Sequence, residues 1–167
     1  RKVPTPFYLY SYKTFVDHFN KIKAAFRPVK PLICFSAKSN SNLAVMRALV
    51  KNGAGIDIVS GGELFRAKMV GADPRKIVYA GVGKRRDEIE EAIRFGILMF
   101  NVESEEELAE IQSVARALGK KASVAIRVNP DVIPKTHKYI ATGKGETKFG
   151  LDFETVHKIF NSAWKYP

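Results

Sequence analysis

Lys38 closes the apolar run Leu32-Ile33-Cys34-Phe35-Ser36-Ala37 and is followed by Ser39 and Asn40. A strand interior disfavours an unpaired ammonium, so this pattern places the lysine at the mouth of a sheet. An amine kept poorly solvated there has a lowered pKa and becomes a usable nucleophile toward a carbonyl, by way of a Schiff base. A solvated lysine following a strand is the plainer alternative. Two further residues carry charge inside apolar runs. Asp57 lies within Gly55-Ile56-Asp57-Ile58-Val59-Ser60, just before Gly61-Gly62-Glu63, and Arg127 lies within Ser123-Val124-Ala125-Ile126-Arg127-Val128, just before Asn129-Pro130. Taken singly, Asp57 could be a polar strand residue, Gly61-Gly62 a turn and Arg127 a paired structural arginine. Convergence of the three on one rim would make them a site.

The elements that must position them follow from periodicity. Phe7-Tyr8-Leu9-Tyr10 reads as a short strand after Pro4 and Pro6. Ser11 caps a helix with Phe15, Phe19, Ile22 and Phe26 on one face, ended by Pro28 and Pro31. After the Lys38 strand, Asn42 starts a helix with Leu43, Met46, Leu49 and Val50 inward. The Asp57 strand turns through Gly61-Gly62 into a helix from Glu63 to Val70. Ile77-Val78-Tyr79-Ala80 is a third strand, Asp87 to Phe95 a helix, and Ile97 to Val102 a fourth strand. Ser104 and Glu107 have capping-box spacing and open a helix to Leu118. Ser123 to Val128 is the fifth strand, and Phe153 to Ala163 reads as a helix with Val156, Ile159 and Phe160 inward. The strands are continuous apolar runs, which implies cover on both faces, and alternation of β and α gives a parallel sheet. The fold class is therefore α/β, either an open doubly wound sheet or a TIM-like (β/α)8 barrel. No Gly-x-Gly-x-x-Gly follows the first strand, and Gly81-Val82-Gly83 lacks the third glycine. A full barrel takes about 250 residues; the 167 present would supply about its first five βα units.

Composition narrows the class. Apolar residues make up 46% and charged residues 27%, as in ordinary soluble domains. The one cysteine, Cys34, sits in an apolar run and is expected to be a buried packing residue. No apolar run approaches the length of a membrane span and no secretory core precedes Pro4, so the expectation is a cytoplasmic protein with no membrane partner. The net charge of +11 comes from scattered lysines and arginines without an aromatic-interleaved basic run, so attraction for anionic small molecules is expected and nucleic acid is not.

Phe35-Ser36-Ala37-Lys38-Ser39-Asn40 resembles the lysine motif of the alanine-racemase-like, fold-type III pyridoxal phosphate enzymes. Asp57-Ile58-Val59-Ser60-Gly61-Gly62-Glu63-Leu64 resembles their next motif, and Ile126-Arg127-Val128-Asn129-Pro130 a third. Thr136 to Gly143, followed by Lys148-Phe149-Gly150, is similar to the diaminopimelate decarboxylase branch, with Lys138 where proline is usual. The resemblance runs from about Thr5 to Gly150, with the motifs in order. It implies a barrel over residues 12–167, with residues 1–11 forming a strand that would join a second, β domain. It implies that Lys38 anchors pyridoxal 5'-phosphate, that Asp57 and Arg127 lie in the cofactor pocket, and that no metal is needed. His137 would belong to an active-site loop, and Lys148 would pair across the interface of a homodimer with shared sites. The implied reaction of the full-length protein is decarboxylation of meso-2,6-diaminopimelate to L-lysine and CO2. Decarboxylation of ornithine or arginine, and a non-catalytic pyridoxal phosphate-binding barrel, remain as alternatives. The family's phosphate loop, its ring-nitrogen glutamate and its second-domain residues would lie beyond residue 167, so these 167 residues alone are expected to have little or no activity.

Overall fold

The computed structural model describes residues 3–130 and 149–162. Its described strands are β1 (Cys34–Ser36), β2 (Gly55–Ile58), β3 (Ile77–Tyr79), β4 (Met99–Val102) and β5 (Val124–Ile126). Its α-helices are α1 (Tyr12–Ala25), α2 (Leu43–Lys51), α3 (Gly61–Met69), α4 (Arg86–Phe95), α5 (Glu105–Ala117) and α6 (Phe153–Asn161). All strand pairs are parallel and the order is β1-β2-β3-β4-β5. That order decides between the two architectures. A doubly wound sheet reverses its strand order at a switch point and puts helices on both faces. Here each strand pairs with the next in sequence, and right-handed crossovers then set every helix on the same face. Successive helices from α1 to α5 pack on one another, as this requires. The result is the arc of a TIM-like (β/α)8 barrel made by its first five units.

The core lies between the sheet and the helices. Ile56, Ile58, Ile77, Tyr79, Phe100 and Val102 alternate with less buried residues along their strands and meet Met46, Leu64, Ile89 and Ile111. The Tyr79 and Phe100 rings stack with centroids 5.9 Å apart. Alternation puts Ser36, Asp57, Val78 and Asn101 on the other face, all only partly buried. Parallel registers align neighbours across that face, with Ser36 opposite Asp57 and Asp57 opposite Val78.

Several expectations shift. Phe7-Tyr8-Leu9-Tyr10 forms no strand ladder among the described residues, and Tyr8 and Leu9 are 88% and 86% exposed, because no described strand lies beside them. Helix α3 begins at Gly61, not Glu63: Ser60 is its N-cap and accepts from the Glu63 N–H at 3.2 Å. Glycine suits the first helical position, since a Cβ at Gly61 would sit 2.8 Å from Glu88 Oε1. Ile22, Phe26 and Phe160 are exposed rather than inward, since their helices drift off the apolar stripe near their ends. Cys34 is partly buried, not enclosed.

Candidate functional site

Every βα connection lies at the carboxyl end of the parallel strands, where (β/α)8 barrels place their chemistry. Lys38 sits there, in the one-turn 3-10 helix Ala37–Ser39 that follows β1. Ala37 beneath it has no exposure. The Ser39 hydroxyl donates to the Ser36 carbonyl at 2.7 Å, and Asn40 and Asn42 side chains accept from the Asn42 and Ala44 N–H groups at 3.1 and 2.9 Å. The backbone around Lys38 is thereby tied down while its side chain is exposed. The expected poorly solvated amine is thus not found, because the short turn carries Lys38 past the strand end into the loop layer.

Asp57 lies one strand over. The Ser36 hydroxyl donates to Asp57 Oδ2 at 3.0 Å, as their cross-strand register allows. The structure therefore brings Asp57 to the strand that ends at Lys38. Cys34 shares this neighbourhood: burial first, and the Asp57 charge second, push its thiol above the usual range.

Arg127 extends from the far edge of the sheet, just after β5, and does not contact Asp57 or Lys38 in a direct ion pair. Its Nη1 donates to both oxygens of Glu103, at 3.1 and 3.0 Å. Its guanidinium also lies over the Phe149 ring, 5.5 Å from the centroid. His137 and Lys148 lie outside the described residues.

The rim holds further charged residues. Glutamates reach from one connection to the next. Glu63 accepts from the Val59 N–H at 2.8 Å. Glu88 accepts from Gly61 at 2.8 Å and from Arg85 at 3.0 Å, so it ties the start of α3 to that of α4. Glu103 accepts from the Gly81 N–H at 3.2 Å. Gly81 adopts φ +94°, and a Cβ there would come within 3.2 Å of Val59, so only glycine fits. Lys84, its side chain fully buried, donates to the Gly81 carbonyl at 2.7 Å, the Asn101 carbonyl at 2.9 Å and Glu107 Oε1 at 2.6 Å. All three ammonium protons are thus used. The Tyr79 hydroxyl beneath is buried without a hydrogen-bond partner; burial, then the nearby Glu88 charge, push its phenol well above the ordinary range. The Ser-x-x-Glu spacing at 60/63 matches that at 104/107, but a capping box would send Glu63 to the Ser60 N–H, so the spacing does not contain the Val59 contact. Nothing local signalled the pairings of Lys84 with Glu107 and of Glu103 with Arg127.

The donor set fits a cofactor that carries an aldehyde. Capture needs an accessible amine on a fixed backbone, which Lys38 provides, and nearby polar groups on the uncovered sheet face, which Ser36 and Asp57 provide. A separate groove beside α5, lined by Leu108, Ile111, Ala115 and Val124, carries none of these residues.

Comparisons with known proteins agree with this chemistry. Residues 12–165 match the family described as pyridoxal-dependent decarboxylase, pyridoxal binding domain. The chain is 50% identical over 161 residues to diaminopimelate decarboxylase of Aquifex aeolicus, covering 96% of this chain and 38% of that protein. The crystal structure of diaminopimelate decarboxylase from Helicobacter pylori complexed with L-lysine superposes with a TM-score of 0.93 at 44% identity, over 98% of this chain and 42% of that one. The corresponding enzyme of M. jannaschii, in co-complex with L-lysine, gives 0.85 at 39% identity, over 94% and 38%. The chain thus spans about two-fifths of the length of the relatives it matches.

Proposed function

Because the chain belongs to the pyridoxal-dependent decarboxylases, through their pyridoxal-binding domain, we propose that the full-length protein decarboxylates meso-2,6-diaminopimelate to L-lysine and CO2. The observation that carries this reading is the 50% identity to a diaminopimelate decarboxylase over almost the whole chain. The ornithine and arginine alternatives have weaker support, since the viral arginine decarboxylase and the lysine/ornithine decarboxylase share only 17% and 19% identity and so speak for the fold alone.

Bound pyridoxal phosphate supplies an electron sink for the pair left on the α-carbon when the carboxylate departs as CO2. This chain's residues prepare that chemistry. The Lys38 amine would hold the cofactor through its aldehyde carbon. Asp57, steadied by the Ser36 hydroxyl, would bring a carboxylate to the cofactor pocket from the strand beside the one that leads to Lys38. Arg127 brings a fixed positive charge to the same pocket from the opposite edge of the arc. In this reading His137 and Lys148 complete the site from a loop and across a homodimer interface, and the protein works in the cytoplasm. No helix among the described residues is long and apolar enough to cross a membrane.

Release of CO2 from meso-2,6-diaminopimelate, ornithine and arginine by the purified full-length protein with pyridoxal phosphate tests the assignment. The expected result is turnover of diaminopimelate at least a hundredfold above the other two in kcat/KM, in keeping with the discrimination a polar-group-recognising site achieves, about 10⁴-fold at its best. Preference for ornithine or arginine would overturn it.

A further inference from the structure

Glu103 carries a deeply buried carboxylate, its side chain 4% exposed. Desolvating a carboxylate is costly unless donors compensate it. Here the Gly81 N–H and Arg127 Nη1 do so, at 3.2 Å and at 3.1 and 3.0 Å. The Glu103 backbone is pinned too, since its N–H donates to Glu107 Oε2 at 3.0 Å. Arg127 is gripped on its other flank by the segment 149–151. The Phe149 ring lies under the guanidinium, and the Leu151 N–H donates to the Arg127 carbonyl at 2.8 Å. Gly150 makes that approach possible, because a Cβ there would sit 2.8 Å from the Arg127 carbonyl oxygen and 3.1 Å from its Cγ. Yet the Arg127 side chain remains 47% exposed. An arginine anchored through one nitrogen to a buried carboxylate, with its remainder open at the rim, is built to present charge at a fixed place and not to fill a core.

We infer that Glu103 is a positioning residue, which holds Arg127 in the orientation that serves the cofactor pocket. The inference rests on the functional reading above, in which Arg127 faces that pocket. A purely structural cross-link would stabilise the rim but would not pass its effect through Arg127.

The test is a double-mutant cycle in the full-length protein, with Glu103→Gln, Arg127→Met and the two combined, read as the dissociation constant for pyridoxal phosphate from an absorbance titration without substrate. Glu103→Gln keeps an acceptor for the Gly81 N–H and removes the charge together with one of the two oxygens that accept from Arg127. It is expected to weaken cofactor binding about tenfold, the scale of one charge-assisted hydrogen bond. Arg127→Met is expected to weaken it at least as much, and the double variant to match Arg127→Met within about twofold, because coupled residues do not add. Glu103→Asp, which keeps the charge, is expected to recover part of the loss and takes the place of Glu103→Gln if that variant does not fold. Binding by Glu103→Gln within about twofold of the wild type, or a full tenfold loss added on top of Arg127→Met, overturns the positioning role while leaving the functional reading intact. A wild-type protein that binds no pyridoxal phosphate overturns the functional reading, and the positioning role with it.

Discussion

A lysine with no exposed side-chain surface is stable only when every proton has an acceptor, and Lys84 meets that condition through Gly81, Asn101 and Glu107. Removing it strands a Glu107 carboxylate that is only 11% exposed, together with two carbonyls. Lys84→Met is therefore expected to cost about 3 kcal/mol, the scale of breaking one partner out of a buried pair; chemical unfolding of the full-length protein measures it. Cys34 offers a check of a different kind. Its thiol is pushed up by burial and by Asp57, so little thiolate is present at mildly alkaline pH. Alkylation by iodoacetamide at about pH 8 should be at least tenfold slower in the folded protein than in guanidinium, where the thiol returns to its ordinary pKa of about 8.5; equal rates would show that the burial is not effective in solution. At this scale the sequence disclosed only residues whose type and local setting were informative. Lys38, Asp57 and Arg127 stood out as charges in apolar runs. The pairings of Lys84 with Glu107 and of Glu103 with Arg127 were not legible, because the partners lie 23 and 24 positions apart, beyond any local spacing.

Helix starts were legible because their chemistry is local. Ser11, Asn42 and Ser104, marked by the sequence as helix openers, accept from an N–H two or three residues on, and so do Ser60 and Asp152, which it did not mark. Ser104→Ala should cost about 1 kcal/mol by loss of the cap on α5, seen as a lower unfolding midpoint. The box at α5 is only half formed: Ser104 accepts from the Glu107 N–H at 3.1 Å, but Glu107 reaches one residue further back, to the Glu103 N–H. That displacement links the cap to the Glu103–Arg127 pair, a connection no spacing rule contains. Asp152 caps α6, and its carboxyl lies below the usual range through the Thr155 backbone and hydroxyl donors. A depressed folded pKa contributes stability above the unfolded value that is lost as pH falls through the folded one. Fraying of α6 is thus expected only below the ordinary carboxylate range, and amide exchange in α6 against pH checks it. Strand ends were less legible than helix starts. The apolar runs read as four to six residues, yet the ladders hold three or four, because pairing stops where a turn begins, not where apolar residues end.

The whole arc follows from connection order. Five parallel strands in sequence order, with every helix on one face, bring all βα connections to one end. The fold also gathers charges that look scattered along the chain. Arg27, Lys30, Lys51, Lys76, Lys120 and Lys121 lie in or beside αβ connections, at the opposite end from Glu63, Glu88, Glu103 and Glu107. Basic residues after helices and acidic ones before them suit the helix dipoles, which accounts for much of the pattern without a polyanionic partner. The barrel choice was not decidable from periodicity, since both candidate architectures alternate β and α; only the pairing order separates them. Among the described residues, β1 and β5 are the outer strands of the sheet, and Tyr8 and Leu9 are exposed. As a separate molecule, the 167-residue chain is expected to self-associate on size-exclusion chromatography and to release no CO2 from diaminopimelate; normal turnover by a monodisperse preparation would contradict this. The claim on which the rest depends is that the exposed amine after β1 is the cofactor anchor. Borohydride reduction of the full-length protein with pyridoxal phosphate, followed by peptide mapping, tests it most directly. A pyridoxyl label is expected on Lys38; a label on any other lysine, or none, would contradict that role.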